Sequence, residues 1–364
     1  MKKRILTAVI FILLSLLVLS GCGGKQETKQ EGNVQNPATQ ETAKKELKTF
    51  NAGYLASPGH ALYFVAKEKG YFAEEGLDVT LYLFNNSGEG MNAIISKKLD
   101  VGNFGTTAPL KFIANGQDLT IFGGQMEDGG SGMVAKPEVA AKLKDLKNLK
   151  GKKLAVVKLS TGDVVFRAGL MNAGVDWKKD MTVVEMDTPA AVMEAVKKGA
   201  ADAGLVWAPH LKNAENQGLV VALYSDEVED NHSCCRQVTL TSNLQEKPAD
   251  YEKLLRALIK AYKFYSANQD ETVDIIAKYV KVDKEIIKAE TYGRHLISNP
   301  DPGKKASITF WNNMNRIGYV SSQLNIEHHL NIDLYKKALD SILQENPNDP
   351  VYLKMAEDYK TRNL

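Results

Sequence analysis

The sequence predicts an α/β protein built as two similar lobes, and three observations carry that expectation. Strand and helix signals alternate from residue 50 onward, a strand–turn–helix opening recurs about 100 residues later, and a Lys-Lys, Asp-x-Gly, Ala-Pro series occurs twice.

The first unit opens at 50–55 (FNAGYL), an apolar run of strand type, followed by the turn Ser57-Pro58-Gly59 and a helical pattern over 61–69 with Gly70 at its C-terminal cap. Val79, Leu81 and Leu83 then alternate with Thr80, Tyr82 and Phe84, which predicts a second strand with a drier and a wetter face. This βαβ order implies parallel pairing within an α/β sheet. A helix over 89–97 leads into 100–110 (DVGNFGTTAPL), where a short strand stops at a Gly/Thr turn before a new helix. The second unit repeats the plan: 151–163 (GKKLAVVKLSTGD) is strand, polar Gly turn and helix, and 192–198 followed by 199–211 (GAADAGLVWAPHL) matches the earlier helix, strand and Ala-Pro turn.

Ahead of this body, Lys2, Lys3 and Arg4 form a basic start and 5–19 an apolar stretch that falls short of the ~20 residues of a bilayer crossing. It ends in Leu19-Ser20-Gly21-Cys22, which resembles the bacterial lipobox. That resemblance implies a signal peptide over 1–21, acylation of Cys22 (palmitate among the acyl groups) and a lipid-anchored protein on the extracytoplasmic face of the cell membrane. Residues 22–45 are rich in Gln, Glu, Lys, Thr and Gly and poor in core-forming side chains, the composition of a flexible tether.

The whole chain of 364 residues carries a formal charge of +2; loss of the three leading basic residues leaves 43 basic against 44 acidic groups. A body so balanced gives no electrostatic footprint for nucleic acid. No further apolar span follows the leader. No Ser/His/Asp or Cys/His motif of known type points to an enzyme, and neither a metal motif nor a cofactor fingerprint is displayed.

The body resembles the substrate-binding components of ABC importers in the nitrate, sulfonate, taurine and thiamine-precursor group. The residues that carry the resemblance are Gly53-Tyr54, 66–79 (AKEKGYFAEEGLDV), 100–109, 149–153 (LKGKK) and 201–209, in that order over about 48–270, with 290–364 matching only as a helical tail. The resemblance implies a type II periplasmic-binding-protein clamshell with central mixed sheets flanked by helices, a small-molecule ligand in the cleft, an ABC-importer permease as partner, and a monomer. It implies a first lobe of 46–134 plus 238–364 and a second of 135–237, with crossings near 123–134 and 234–240. Trp311 and Tyr319, on the C-terminal helices, should pack on the first lobe.

Four strand-to-helix turns supply the candidate site, because Ser, Thr and Gly at such turns present free N–H groups and the positive end of a helix dipole, which suit anions. They are 57–60, 86–88, 105–107 and 160–163, and they nominate His60, Ser87, Thr106, Thr107, Ser160 and Thr161 as ligand-binding residues. Each hydroxyl could equally be a helix cap and nothing more, and His60 a surface histidine. Trp207 stands either as an aromatic cleft wall or as core.

The block 231–237 (NHSCCRQ) lies at the expected return crossing. Cys234 and Cys235 there are a rigid disulfide at the cleft edge, a pair of free thiols, or part of a metal or redox site. Arg236 either pairs with a ligand anion or forms a hinge salt bridge. The function expected is capture of a small organic anion, sulfonate-like, with a thiamine-precursor-like heterocycle as the alternative cargo; an enzyme or metal-binding protein built on the cysteine block is the remaining alternative.

Overall fold

The computed structural model describes residues 46–364, so the leader, Cys22 and the tether lie outside the described residues. Eleven strands follow one another in chain order: β1 (Lys48–Leu55), β2 (Leu77–Phe84), β3 (Val101–Gly105), β4 (Leu119–Gly129), β5 (Ser131–Ala135), β6 (Lys153–Val157), β7 (Thr182–Met186), β8 (Ala203–Trp207), β9 (Val220–Tyr224), β10 (Cys235–Leu240) and β11 (Leu296–Ser298).

They form two mixed sheets, in the orders β11-β4-β10-β3-β1-β2 and β7-β6-β8-β5-β9. In the first, β2, β1 and β3 run parallel, as βαβ crossovers require, and β10 lies antiparallel to both β3 and β4. The second repeats the arrangement, with β7, β6 and β8 parallel and β5 antiparallel to β8 and β9. In each sheet the antiparallel strand next to the parallel trio is one the chain forms beside a crossing between lobes.

The first crossing takes a single residue. Gly130, between β4 and β5, has φ +56°, in the left-handed region that glycine enters without a Cβ penalty. The return spans 225–234, between β9 and β10. Both junctions therefore differ slightly from the expected boundaries: β5 belongs to the second sheet from Ser131, and Cys235–Gln237 pairs into the first. Strand register, which the turn signals do not encode, sets both shifts.

β3 is buried along its whole length because helices cover both faces of the sheet. One core cluster joins Phe50, Tyr63, Phe64 and Val79 to Tyr251 and Leu258 of the helix Pro248–Ala267 and to Tyr335 of the helix Asp333–Glu345. Trp311 is buried with Phe104, Leu110 and Val238 of the first lobe, but Val164, Val165 and Ala168 of the second lobe share that cluster. The helix Lys304–Arg316 thus bridges the lobes rather than capping one. Beyond it, the Trp177 indole donates to the Ile317 carbonyl at 3.1 Å. No helix among the described residues is long and apolar enough to cross a membrane.

Candidate ligand-binding site

A cavity of about 30 Å³ lies where the two sheets face each other. The last residues of four parallel strands reach it: Leu55 of β1, Gly105 of β3, Val157 of β6 and Trp207 of β8. Ligand sites in open α/β sheets fall at these carboxyl ends. The crossing segments add Met126, Gly129, Ser131, Cys234 and Cys235, and the turns add Ser57, His60, Ser87, Lys158, Ser160 and Thr161.

Seven of the ten residues nominated from the sequence thus line one cavity: His60, Ser87, Ser160, Thr161, Trp207, Cys234 and Cys235. Ser160 occupies the N-cap position of the helix Thr161–Asn172 yet makes no side-chain capping bond, so its hydroxyl is not spent on the helix. Ser87 begins the helix Ser87–Ile95, whose cap is provided by Asn86, and its Oγ accepts from the Gly105 N–H at 3.2 Å. The Thr161 hydroxyl donates to the Cys234 carbonyl at 3.3 Å. The room around these hydroxyls depends on Gly105, since a Cβ there would sit 2.8 Å from Thr161 Oγ1.

His60 is buried, not a surface residue. Asn103 Nδ2 lies 3.1 Å from its Nδ1, so with the amide donating, the neutral ring carries its proton on Nε2. Burial lowers its pKa to about 3, so the ring stays neutral across the physiological range. Trp207 is partly buried, meets His210 edge-on, and its indole N–H has no partner among the described residues.

Thr106, Thr107 and Arg236 lie outside the cavity lining. Thr106 is fully buried and its hydroxyl bonds to Ser233 Oγ and the Cys234 carbonyl, tying β3 to the return crossing. Thr107 donates across the cleft to the Ser160 carbonyl. Arg236 is fully buried on the opposite face of β10, because successive side chains of a strand alternate and Cys235 takes the cavity side. Its Nη1 donates to the carbonyls of Met126 and Cys235, at 2.7 and 3.1 Å. The expected ligand contact and the expected hinge salt bridge are both replaced by backbone anchoring.

Cys234 and Cys235 are free and buried, with their sulfurs 3.6 Å apart; of the alternatives open in the sequence, the disulfide is not the one formed. The Cys235 thiol hydrogen-bonded to it pulls Cys234 below the ordinary thiol range against the opposing effect of burial, aided by the charges of His232 and Arg236. Cys235 is pushed well up by that same hydrogen bond and by burial. His232 does not line this cavity; its Nδ1 sits 3.0 Å from Asp128 Oδ1 and 2.9 Å from the Glu229 carbonyl.

Sequence reasoning missed Leu55, Met126, Gly129, Ser131, Val157 and Lys158. Leu55 and Val157 are apolar strand ends that the carboxyl-end rule would have nominated. Met126, Gly129 and Ser131 sit in a segment expected only as a crossing. Lys158 brings a charge to the rim, but its Nζ is engaged by Asp187 at 2.9 Å.

Fold and cavity together define a two-lobed binding-protein architecture with one cavity held between mixed sheets. The chain belongs to the NMT1/THI5 like family, whose model matches residues 57–272. It is 30% identical over 242 residues to a provisionally named binding protein of Brucella abortus (strain 2308), covering 65% of this chain and 73% of that one. It is 26% identical over 308 residues to a protein of Bacillus subtilis (strain 168) provisionally named as aliphatic sulfonates-binding, covering 83% and 84%. Among solved structures, the periplasmic nitrate-binding protein of Synechocystis PCC 6803 superposes with a TM-score of 0.70 at 20% identity, covering 81% of this chain and 89% of that one.

Proposed function

We propose that this chain is an extracytoplasmic solute-binding lipoprotein, anchored through Cys22, that captures a small sulfonate-like organic anion in the interlobe cavity and delivers it to the permease of an ABC importer, without chemistry. The observation that carries this reading is the convergence of two helix N-termini, those of Ser87–Ile95 from the first lobe and Thr161–Asn172 from the second, on one cavity edged by the Ser87 and Ser160 hydroxyls, whose O–H donors are not spent on the protein.

Helix N-termini and hydroxyl donors stabilise an anion directly, and the cationic side chain of the lining, Lys158, is paired with Asp187. The unpartnered Trp207 indole N–H and the neutral His60 ring add donors of the same kind, and Leu55, Met126 and Val157 give an apolar wall for an organic group. A cavity of about 30 Å³ holds little more than a water molecule, so an organic ligand enters as the lobes part and is enclosed as they meet. The sulfonate-related name of the Bacillus relative supports this cargo class. The cavity lacks a nucleophile hydrogen-bonded to an oriented base: Cys234 Sγ has Cys235 as its side-chain partner, and His60 has Asn103.

A thermal-shift screen of the purified protein against alkanesulfonates, nitrate and pyrimidine thiamine precursors tests the reading. A ligand at 100 times its Kd stabilises the native state by about 2.7 kcal/mol. Stabilisation by alkanesulfonates is the expected result; stabilisation by the pyrimidines alone moves the cargo to the heterocycle class.

A further inference from the structure

We propose that Cys234, Cys235 and Met126 form a three-sulfur site for a soft monovalent metal ion of the Cu(I) class at the floor of the cavity, independent of the anion reading. The three side chains pack together as a separate buried cluster, apart from the larger cores of the two lobes.

The spacing of the thiols fits one shared ion. With metal–sulfur bonds of about 2.3 Å, two sulfurs 3.6 Å apart subtend an angle of about 100° at the metal. Adjacent thiols held at that separation need little rearrangement to chelate.

The third sulfur is brought in by two glycines. A Cβ on Gly59 would collide with the Met126 thioether, so the absence of a side chain there gives the thioether its place. A Cβ on Gly129 would collide with Cys234 Sγ and stand 3.8 Å from Met126 Sδ, so this glycine keeps open the space bordering both sulfurs. The cavity there, about 30 Å³, is the size of a single small guest.

The donor set selects the ion. Among the described residues no group of three or more His, Cys, Asp or Glu side chains converges, which leaves a borderline ion such as Zn(II) without a full set of nitrogen, oxygen and thiolate ligands. Two thiolates with a thioether instead suit a soft ion, which accepts low coordination. On binding, each thiol gives its proton to solvent as its sulfur takes the metal, and the ion keeps its oxidation state. The negative charge left on two thiolates and one monovalent cation is offset by the buried Arg236 guanidinium, anchored to the Cys235 carbonyl.

The test titrates Cu(I) alone into the purified protein, reduced and kept anaerobic, in competition with a chromophoric Cu(I) chelator and with no organic ligand present. One equivalent withheld from the chelator is expected. Replacing both thiols, Cys234→Ser with Cys235→Ser, removes both thiolate ligands and should abolish retention, and Met126→Leu, which keeps the thiols and the packing volume, should weaken it. Melting curves without metal establish that both variants are folded. Failure of the parent to withhold Cu(I), retention by the folded variants equal to the parent's, or tighter retention of Zn(II) than of Cu(I) would overturn the assignment. Alkanesulfonate binding measured on the same metal-free sample reports separately on the anion reading.

Discussion

The Thr107 hydroxyl of the first lobe donates to the Ser160 carbonyl of the second at 3.2 Å, closing the cleft beside the cavity. A neighbouring bridge runs the same way, from Asn86 Nδ2 to the Asp187 carbonyl at 3.2 Å. Both bonds join a helix-start residue of one lobe to a main-chain oxygen of the other, so they exist only while the lobes are together.

Thr107→Val keeps the side-chain shape and removes the hydroxyl. A hydrogen bond of this kind contributes about 1 kcal/mol, so the closed state should lose about fivefold in population relative to the open one. Stopped-flow binding checks this: ligand dissociation should accelerate by about that factor with little change in association.

Gly105→Ala should abolish ligand capture while leaving the chain folded. The added Cβ would stand 2.8 Å from Thr161 Oγ1 and 3.4 Å from Ser87 Oγ, inside the space where the lobes enclose a guest. Overpacking of this kind costs about 1–3 kcal/mol. The melting temperature should fall modestly and the ligand-induced shift should vanish.

Arg236→Ala should act on stability rather than on ligand contacts. The variant leaves the Met126 and Cys235 carbonyls without their donor and opens a void in a fully buried position. A loss of about 3 kcal/mol in denaturant unfolding is expected, at the large end of single substitutions. A variant with parental stability and lost binding would instead place Arg236 in the site.

His60 gives a pH prediction with a definite sign. The native ring stays neutral down to about 3, whereas in the unfolded chain it protonates near the ordinary histidine value of 6.5. The unfolded state therefore binds the extra proton in that window, and stability falls as pH drops from 6.5 toward 3. His210, lowered by burial to about 4, acts in the same direction. Asp301, raised to about 6 by burial, acts in the opposite one. His60→Gln should lose less stability than the parent between pH 7 and pH 5, as read by denaturant unfolding, because the other groups are common to both proteins.

The lobed α/β architecture was legible because its signals are local: the apolar positions Val79 and Leu81, the cap at Gly70 and the repeated Asp-x-Gly strand starts each follow from short-range sequence, whereas Leu83, expected on the drier face of β2, is exposed because the far end of that edge strand runs past the helices that cover it. The turn hydroxyls were legible for the same reason, and Ser87, Ser160 and Thr161 all reach the cavity. Arg236 was not, because its direction depends on which face of β10 Cys235 occupies, a matter of register with β3 and β4. Thr106 and Thr107 follow Gly105 in the chain, but their hydroxyls are drawn off by Ser233, the Cys234 carbonyl and the Ser160 carbonyl, partners 53 or more residues away. Met126 became part of the site through strand pairing, because the register of β4 on β10 sets it opposite Cys235.

Calorimetric titration of the purified protein with a short alkanesulfonate, beside the same titration of Gly105→Ala, tests the central claim most directly. Saturable binding at one site per chain in the parent and none in the variant is the predicted result. No binding by the parent, or equal binding by both proteins, would contradict capture of a sulfonate-like anion in the interlobe cavity.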